Sequence, residues 1–510
     1  MGSSPLTASI HMLDDDSLLN VFHLYRPFLL GEDDDNENVR FVGGVREWAR
    51  GRWWYKLAHV CQRWRDIVLR SASYLGVSLV CTFGTPVADM LAHSPPLPLV
   101  LDYLEEYGDI TAEDEKGAIF ALKQYDRVHR VRLQIPVTFL RNLIAAMDDE
   151  YPVLEHLIIG HPLEDKSSIS LLPKTLQAPH LRQLTLDGFA LPIRSRLLTG
   201  TMAVGLVTLC LTMGHPSTYF HPNTLLQWLS SMPQLETLAI IFFSPVPSRD
   251  VEKQSPHMPT TTFITLPNLH LFRFQGVGTY LEALVHQITA PRLERFQIDF
   301  FNQLRFSVPC LLQFVDTTEN LRFKSVKFEF SDQGIEVMVY SHEEANMPAL
   351  SIFVTGWHLD WQVSFAAQIS NSLSPVFSAV ELLTLGHEVH SQSAEEHNEA
   401  DRTEWHKLIG PFINVKTLHI AERLVKELSR CLRLDDGEPP LELLPELEEL
   451  TYFGGGNTGD AFTSFIDARQ DAGRPLTLVR LGPSSDRSSS VSPLEPSSIT
   501  PAGDEGDPDT

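Results

Sequence analysis

Apolar residues return along most of this chain in one fixed spacing, L-x-x-L-x-L, with polar residues between them. The triplet occurs eleven times. It reads Val128/Val131/Leu133, Leu154/Leu157/Ile159, Leu181/Leu184/Leu186, Leu206/Leu209/Leu211, Leu235/Leu238/Ile240 and Leu269/Phe272/Phe274. It continues as Leu293/Phe296/Ile298, Phe323/Val326/Phe328, Val380/Leu383/Leu385, Val415/Leu418/Ile420 and Leu447/Leu450/Tyr452. The last two apolar positions are two apart, so both fall on one side of a short strand. The first anchors the chain as it comes into that strand. A return segment must then carry the chain back. One unit cannot bury its own apolar face, whereas stacked units can. Triplets begin 24 to 35 residues apart, except for a step of 57 between Phe323 and Val380. That gap predicts a concealed repeat, with Leu350 and Phe353 in its strand. Pro152, Pro179, Pro233, Pro267, Pro291 and Pro445 stand just before triplets and predict fixed turns into the strands. Helical returns are predicted where Asn223 caps TLLQWLSSM and where Leu281, Leu284 and Ile288 share a stripe.

Residues 1–80 follow a different period. Asp14, Asp15 or Asp16 offers a cap for a helix in which Leu18, Val21, Phe22 and Tyr25 fall at i, i+3, i+4 and i+7. RWWYKLAHVCQRWRDIVLRSA predicts one further helix, with Trp53, Leu57, Val60, Cys61, Trp64, Ile67 and Val68 on a single stripe. So much indole on so small a unit predicts a partner face. Residues 31–44, acidic and flanked by glycine, predict a solvated loop. Residues 81–127 read as a bridge, with a short helix at VADMLAHS and an extended HSPPLPLVLDY leading into a strand. PLTLVRL predicts a last strand, and residues 387–406 a loop. Residues 482–510 are rich in Ser, Pro and acid and predict disorder.

MLDDDSLLNVF followed by KLAHVCQRWRDIVLRSASYL resembles an F-box, in the form common among fungal F-box/leucine-rich-repeat proteins. The V-C-x-x-W-R of Val60, Cys61, Trp64 and Arg65 carries most of the likeness, and PPLPLVLDY is similar as well. The chain departs at Leu13-Asp14-Asp15-Asp16, where the family opens Leu-Pro-x-Glu, and at Tyr74-Leu75, where it has Leu-Trp. The fold implied is α/β. An N-terminal three-helix F-box-like domain spans 1–80, and an irregular leucine-rich-repeat solenoid with a curved parallel sheet spans 128–481. The function implied is a non-catalytic substrate-recognition adaptor of an SCF-type ubiquitin ligase. Leu13, Leu18, Leu19, Phe22, Val60, Cys61 and Trp64 would dock the Skp-family adaptor, which hangs on a cullin, and the repeats would hold a protein target. An alternative is a leucine-rich-repeat scaffold that no longer binds the ligase.

Charge narrows the partners. Acidic residues outnumber basic ones 65 to 40, for a net charge of −25. Such a field repels nucleic acid and anionic lipid. No apolar run reaches membrane-span length, and MGSSPLTASIHML has no basic start followed by an apolar block. Five scattered cysteines predict reduced, mostly buried thiols, and hence cytoplasm and/or nucleus. His387, His390, His397 and His406 crowd one acidic segment, but His387 and His390 are three apart, not four. That spacing does not make a zincin helix, and a solvated loop is expected instead of a metal or a hydrolase. GGG at 454–456 lacks the Lys-Ser/Thr of a phosphate loop, so no cofactor and no enzyme chemistry are expected. The residues between the last two apolar positions are Ile158, Thr185, Cys210, Ala239, Arg273, Gln297, Lys327, Thr384, His419 and Thr451. On a solenoid they line the inner face, where targets bind. Thr185, Arg273, Gln297, Lys327 and His419 are the candidates, and the three basic ones lean toward an acidic target.

Overall fold

The computed structural model describes residues 13–25, 53–104, 110–160, 170–190, 196–198, 203–214, 219–243, 263–301, 306–342, 345, 347–388, 401–432, 443–453 and 461–481. A proline turn opens six repeats. The amide of the first triplet leucine donates to the carbonyl three residues earlier, with proline at the second turn position. Leu154 bonds Tyr151, Leu181 bonds Ala178, Leu235 bonds Met232, Leu269 bonds Leu266, Leu293 bonds Ala290 and Leu447 bonds Leu444, at 3.1–3.4 Å. Proline presets φ for that position, so the turn costs little entropy. Just beyond it, two successive amides converge on one carbonyl of the preceding repeat. Val207 and Thr208 reach Arg182 O at 2.8 and 2.9 Å, and Glu448 and Glu449 reach Lys416 O at 2.8 and 2.9 Å. This contact fixes the register of each new strand on the last.

The strands of the first half are β1 (Leu79–Cys81), β2 (Leu99–Leu104), β3 (Val128–Gln134), β4 (His156–Gly160), β5 (Ser170–Leu171), β6 (Gln183–Asp187), β7 (Phe189–Ala190), β8 (Thr208–Met213), β9 (Thr237–Phe242) and β10 (Ile264–Thr265). There follow β11 (Leu271–Gly276), β12 (Ile288–Thr289), β13 (Arg295–Phe300), β14 (Ser325–Ser331), β15 (Gly334–Tyr340), β16 (Leu350–Thr355), β17 (Leu382–Glu388), β18 (Thr417–Ile420), β19 (Glu449–Phe453) and β20 (Thr477–Leu481). Sixteen of them form one sheet in the order β1-β2-β3-β4-β6-β8-β9-β11-β13-β16-β15-β14-β17-β18-β19-β20. Neighbours are parallel except that β15 runs against both β14 and β16. Helices cover one face. Every triplet residue is at most 5% exposed, which fixes that face as the core side of the repeat. The ladder is direct: Leu157, Leu184, Leu209, Leu238, Phe272 and Phe296 are register partners in turn.

Several expectations need correction. Residues 81–127 are not a bridge: β1 and β2 already belong to the sheet, with Leu101 paired to Val131. The sequence hides them because Leu97, Leu99, Leu101 and Tyr103 alternate without the triplet spacing. The long gap does hold a strand, β16, but Leu350, Ile352 and Val354 face the core while Phe353 faces away. It also holds β15. From β13 the chain skips two strand positions, lays down β14, turns back through β15 and places β16 beside β13. Helix Leu359–Ser372 then precedes β17, which pairs with β14. Of the loop expected at 387–406, residues 389–400 lie outside the described residues, and its end overlaps helix Arg402–Ile409, capped by Asp401, whose Trp405 is buried against Phe330 at 5.7 Å. Helix Pro222–Leu229 is capped by His221 and not by Asn223. Helix Gly278–Val285 ends before Ile288, which belongs to β12. The expected acidic loop at 31–44, the GGG at 454–456 and the tail at 482–510 lie outside the described residues.

Candidate functional site

The N-terminal helices are α1 (Asp15–Tyr25), α2 (Trp53–Ala58), α3 (Gln62–Arg70) and α4 (Ala72–Leu75). Asp14 caps α1 by accepting from Ser17 N at 2.7 Å, and that backbone bond holds its carboxyl below the usual range. The single helix expected over 53–70 is broken, with Cys61 extended at φ −161° as the cap of α3. Arg65 Nε donates to Ala58 O at 3.0 Å and satisfies a carbonyl left open where α2 ends. Arg63 ties α3 to α1, reaching Asp15 Oδ1 at 2.7 Å and Leu13 O at 2.6 Å.

This geometry sorts the residues that the resemblance assigned to adaptor docking. Leu18 and Phe22 have no exposed surface, so as they stand they support the unit's core and cannot touch a partner. Phe22 lies 4.8 Å from the ring of Trp64. Leu19, Cys61 and Trp64 are half-buried, while Leu13 and Val60 are 37% and 57% exposed. Trp53 and Trp54 are buried, not displayed, and Trp54 Nε1 donates to Ser78 O at 3.1 Å. The helical unit therefore shares one continuous core with β1. Sequence reasoning missed Leu24, which is 83% exposed one turn beyond exposed Val21. Its signal was an apolar residue standing off the buried stripe.

On the sheet, all ten predicted open-face residues lie in one continuous row. Ile158, Thr185, Cys210, Ala239, Arg273 and Gln297 are successive register partners. Ser351 and Met338 come next, unforeseen, and Lys327, Thr384, His419 and Thr451 complete the row. The signal for Met338 was FEFSDQGIEVMVY, two alternating runs separated by two residues. Most of the row is half-buried, and Ala239, Ser351 and Thr451 are buried.

Two of the three basic residues that leaned toward an acidic target, Arg273 and Lys327, stand beside carboxylates. Arg273 pairs with Asp299 at 3.6 Å, and Arg132 with Asp102 at 3.7 Å. Lys327 pairs with Glu329. Burial alone would lower the Lys327 pKa, but the hydrogen bond and charge of Glu329, with Tyr340 and Glu388, hold it above the ordinary value. Ser351 Oγ donates to Glu336 Oε1 at 2.8 Å, so a third carboxylate stands beside the pair. Among the described residues, one lysine stands among Glu329, Glu336 and Glu388, so the described part of this face is negative.

Two of the thiols are held protonated by burial. Burial pushes Cys210 up to about 11 and Cys431 up to about 12, so both stay protonated at neutral pH. Iodoacetamide is therefore expected to spare Cys210 and Cys431 in the native chain and to modify them once denaturant is added. Peptide mass mapping reads this, and native-state labelling of Cys210 would refute it. His406 Nε2 bonds Cys431 O at 2.9 Å, a packing role. His390 and His397 lie outside the described residues. Among the described residues no group of three or more His, Cys, Asp and Glu side chains is placed to hold a metal ion.

No protein-family model and no curated protein matches this chain. Among solved structures it is similar to the leucine-rich repeat-containing protein LegL7 of Legionella pneumophila, at 11% identity over 70% of this chain and 86% of that one, with a TM-score of 0.24. The repeat architecture itself rests on the strand order and register of the chain: it is a mixed α/β repeat solenoid with a large, mostly parallel sheet.

Proposed function

We propose that this chain is the non-catalytic substrate-recognition adaptor of a cullin-based, SCF-type ubiquitin ligase, with α1–α4 as a divergent F-box and the solenoid as the leucine-rich-repeat target-binding domain. The observation that carries this reading is the apolar surface left on the N-terminal unit. Among the described residues of the unit, Leu13, Val21, Leu24 and Val60 are 37%, 42%, 83% and 57% exposed, while Leu18, Phe22, Trp53 and Trp54 are buried. Apolar anchors of this kind are what the centre of an interface needs. The mechanism is geometric. Two binding sites on one chain raise the local concentration of target lysines near a recruited conjugating enzyme.

A second reading draws on the burial of Leu18 and Phe22 and on the absent Leu-Pro-x-Glu: a repeat scaffold without ligase docking. Co-elution of the full chain with purified Skp-family adaptor separates the two. The adaptor reading expects a complex at micromolar concentration. Val60→Asp is expected to weaken it by at least about tenfold, the scale of an interface anchor, without unfolding the chain. A wild-type chain that elutes alone would leave the scaffold reading standing.

A further inference from the structure

We propose that the rim where β16 leaves the sheet is a docking site for a positively charged segment of the target protein. The proposal rests on the reading of the repeats as the target-binding domain and names the target's chemistry. Trp357 and Trp361 are 78% and 51% exposed there. Tryptophan is seldom left so far in water. The core has no use for either one: helix Leu359–Ser372 buries Leu359, Val363, Ala366 and Ile369, and Trp361 stands off that stripe. Tryptophan is enriched among the residues that anchor protein partners.

The chemistry beside them selects the partner. Asp360 lies between the two indoles in sequence, and Asp332 lies in the β14–β15 turn. Gly356 N donates to Gln333 O at 3.1 Å, and Gln362 Nε2 donates to both Ser331 O and Gly356 O at 2.7 Å. These bonds join the turn and the indole-bearing segment into one rim. Among the described residues, Asp332 Oδ1 and Asp360 Oδ1 are buried without a hydrogen-bond donor. Both residues are half-buried, so an oxygen with no donor inside leaves their negative charge uncompensated at the rim, and an indole face attracts a cation. Glu336 follows Gly334 by two residues, roughly 7 Å along the strand, and it faces Glu329 across the hairpin. The rim therefore offers aromatic faces inside a negative field. A lysine- or arginine-bearing segment is the occupant that fits, and an acidic one is repelled.

The test uses fluorescein-labelled octa-arginine, with octaglutamate as its counterpart, titrated against the full chain at physiological ionic strength and read by anisotropy. Octa-arginine is expected to bind and octaglutamate is not. Trp357→Ala combined with Trp361→Ala is expected to weaken binding about tenfold, and Asp360→Asn about threefold. Glu113→Gln, at a carboxylate 83% exposed on the helix Ala112–Leu122, is expected to change nothing. Equal losses in the Asp360 and Glu113 variants would mean bulk charge alone and overturn the site. So would octaglutamate binding, or a double tryptophan variant with wild-type circular dichroism that binds octa-arginine unchanged. Adaptor co-elution is measured without peptide, so failure of the ligase reading and failure of this site are told apart.

Discussion

A Phe296→Ala chain is expected to lose about 3–5 kcal/mol of stability, the usual cost of emptying a buried phenylalanine site. Phe296 has no exposed surface. Its ring stacks on Phe272 at 4.9 Å and meets Phe314 edge-on at 5.6 Å. It thus joins β11, β13 and helix Pro309–Thr317 at one point, and its register partner across the next strand is Leu350. This is where the parallel progression gives way to the inverted β14–β15–β16 meander. The cavity cannot be refilled by simple collapse, because the flanking strands are held by their own ladders. Repeat arrays couple each unit to its neighbours, so the damage is expected to centre on β11, β13 and β16. Urea unfolding gives the size of the loss, and amide exchange gives its location. An unchanged unfolding midpoint would mean that this joint is not needed.

Why the triplets were legible and the meander was not follows from particular residues. Leu235, Leu238 and Ile240 state both a turn and a face, because Pro233 presets the turn and a period of two fixes the face. Ile335, Val337 and Val339 state a face but no direction. What makes β15 antiparallel is the turn: only Asp332 and Gln333 separate it from β14, whereas a parallel partner needs a crossover of about a dozen residues. Ser331 Oγ accepts from Gln333 N and Gly334 N at 3.3 and 3.2 Å. Gly334 is required because a Cβ there would collide with the Val354 carbonyl oxygen. The candidate surfaces were less legible still. Composition marks Arg273 and Lys327 as cations, but only the fold sets Asp299 and Glu329 against them. The tryptophan stripe of the N-terminal helices pointed to a partner because its size was weighed against the small unit alone. Sharing its core with β1 is what absorbs Trp53 and Trp54.

Arg469→Met is expected to open the last repeat. Arg469 is buried in helix Thr463–Asp471, with Phe465 under its guanidinium at 5.7 Å. Nη1 donates to Leu444 O at 2.9 Å, and Nη2 donates to Leu447 O at 2.8 Å and Pro445 O at 3.3 Å. These carbonyls belong to the turn that feeds β19. That turn holds Leu444 at φ 52°, a left-handed conformation that a branched side chain adopts only under restraint. Methionine keeps the volume but removes the donors, leaving three carbonyls short of a charged partner. The cost is roughly 2–4 kcal/mol, less than the sum of the separate bonds because they share one side chain. Lysine does not rescue it: a single ammonium cannot reproduce the planar fork that spans three acceptors. Burial lowers the guanidinium's pKa, yet arginine keeps its charge at neutral pH, so no pH change near neutrality should mimic the variant. Hydrogen exchange is expected to show β19, β20 and helix Thr463–Asp471 losing protection while β3 to β9 keep theirs. Full protection of β19 in Arg469→Met would show that the turn holds itself, and that the left-handed leucine needs no clamp.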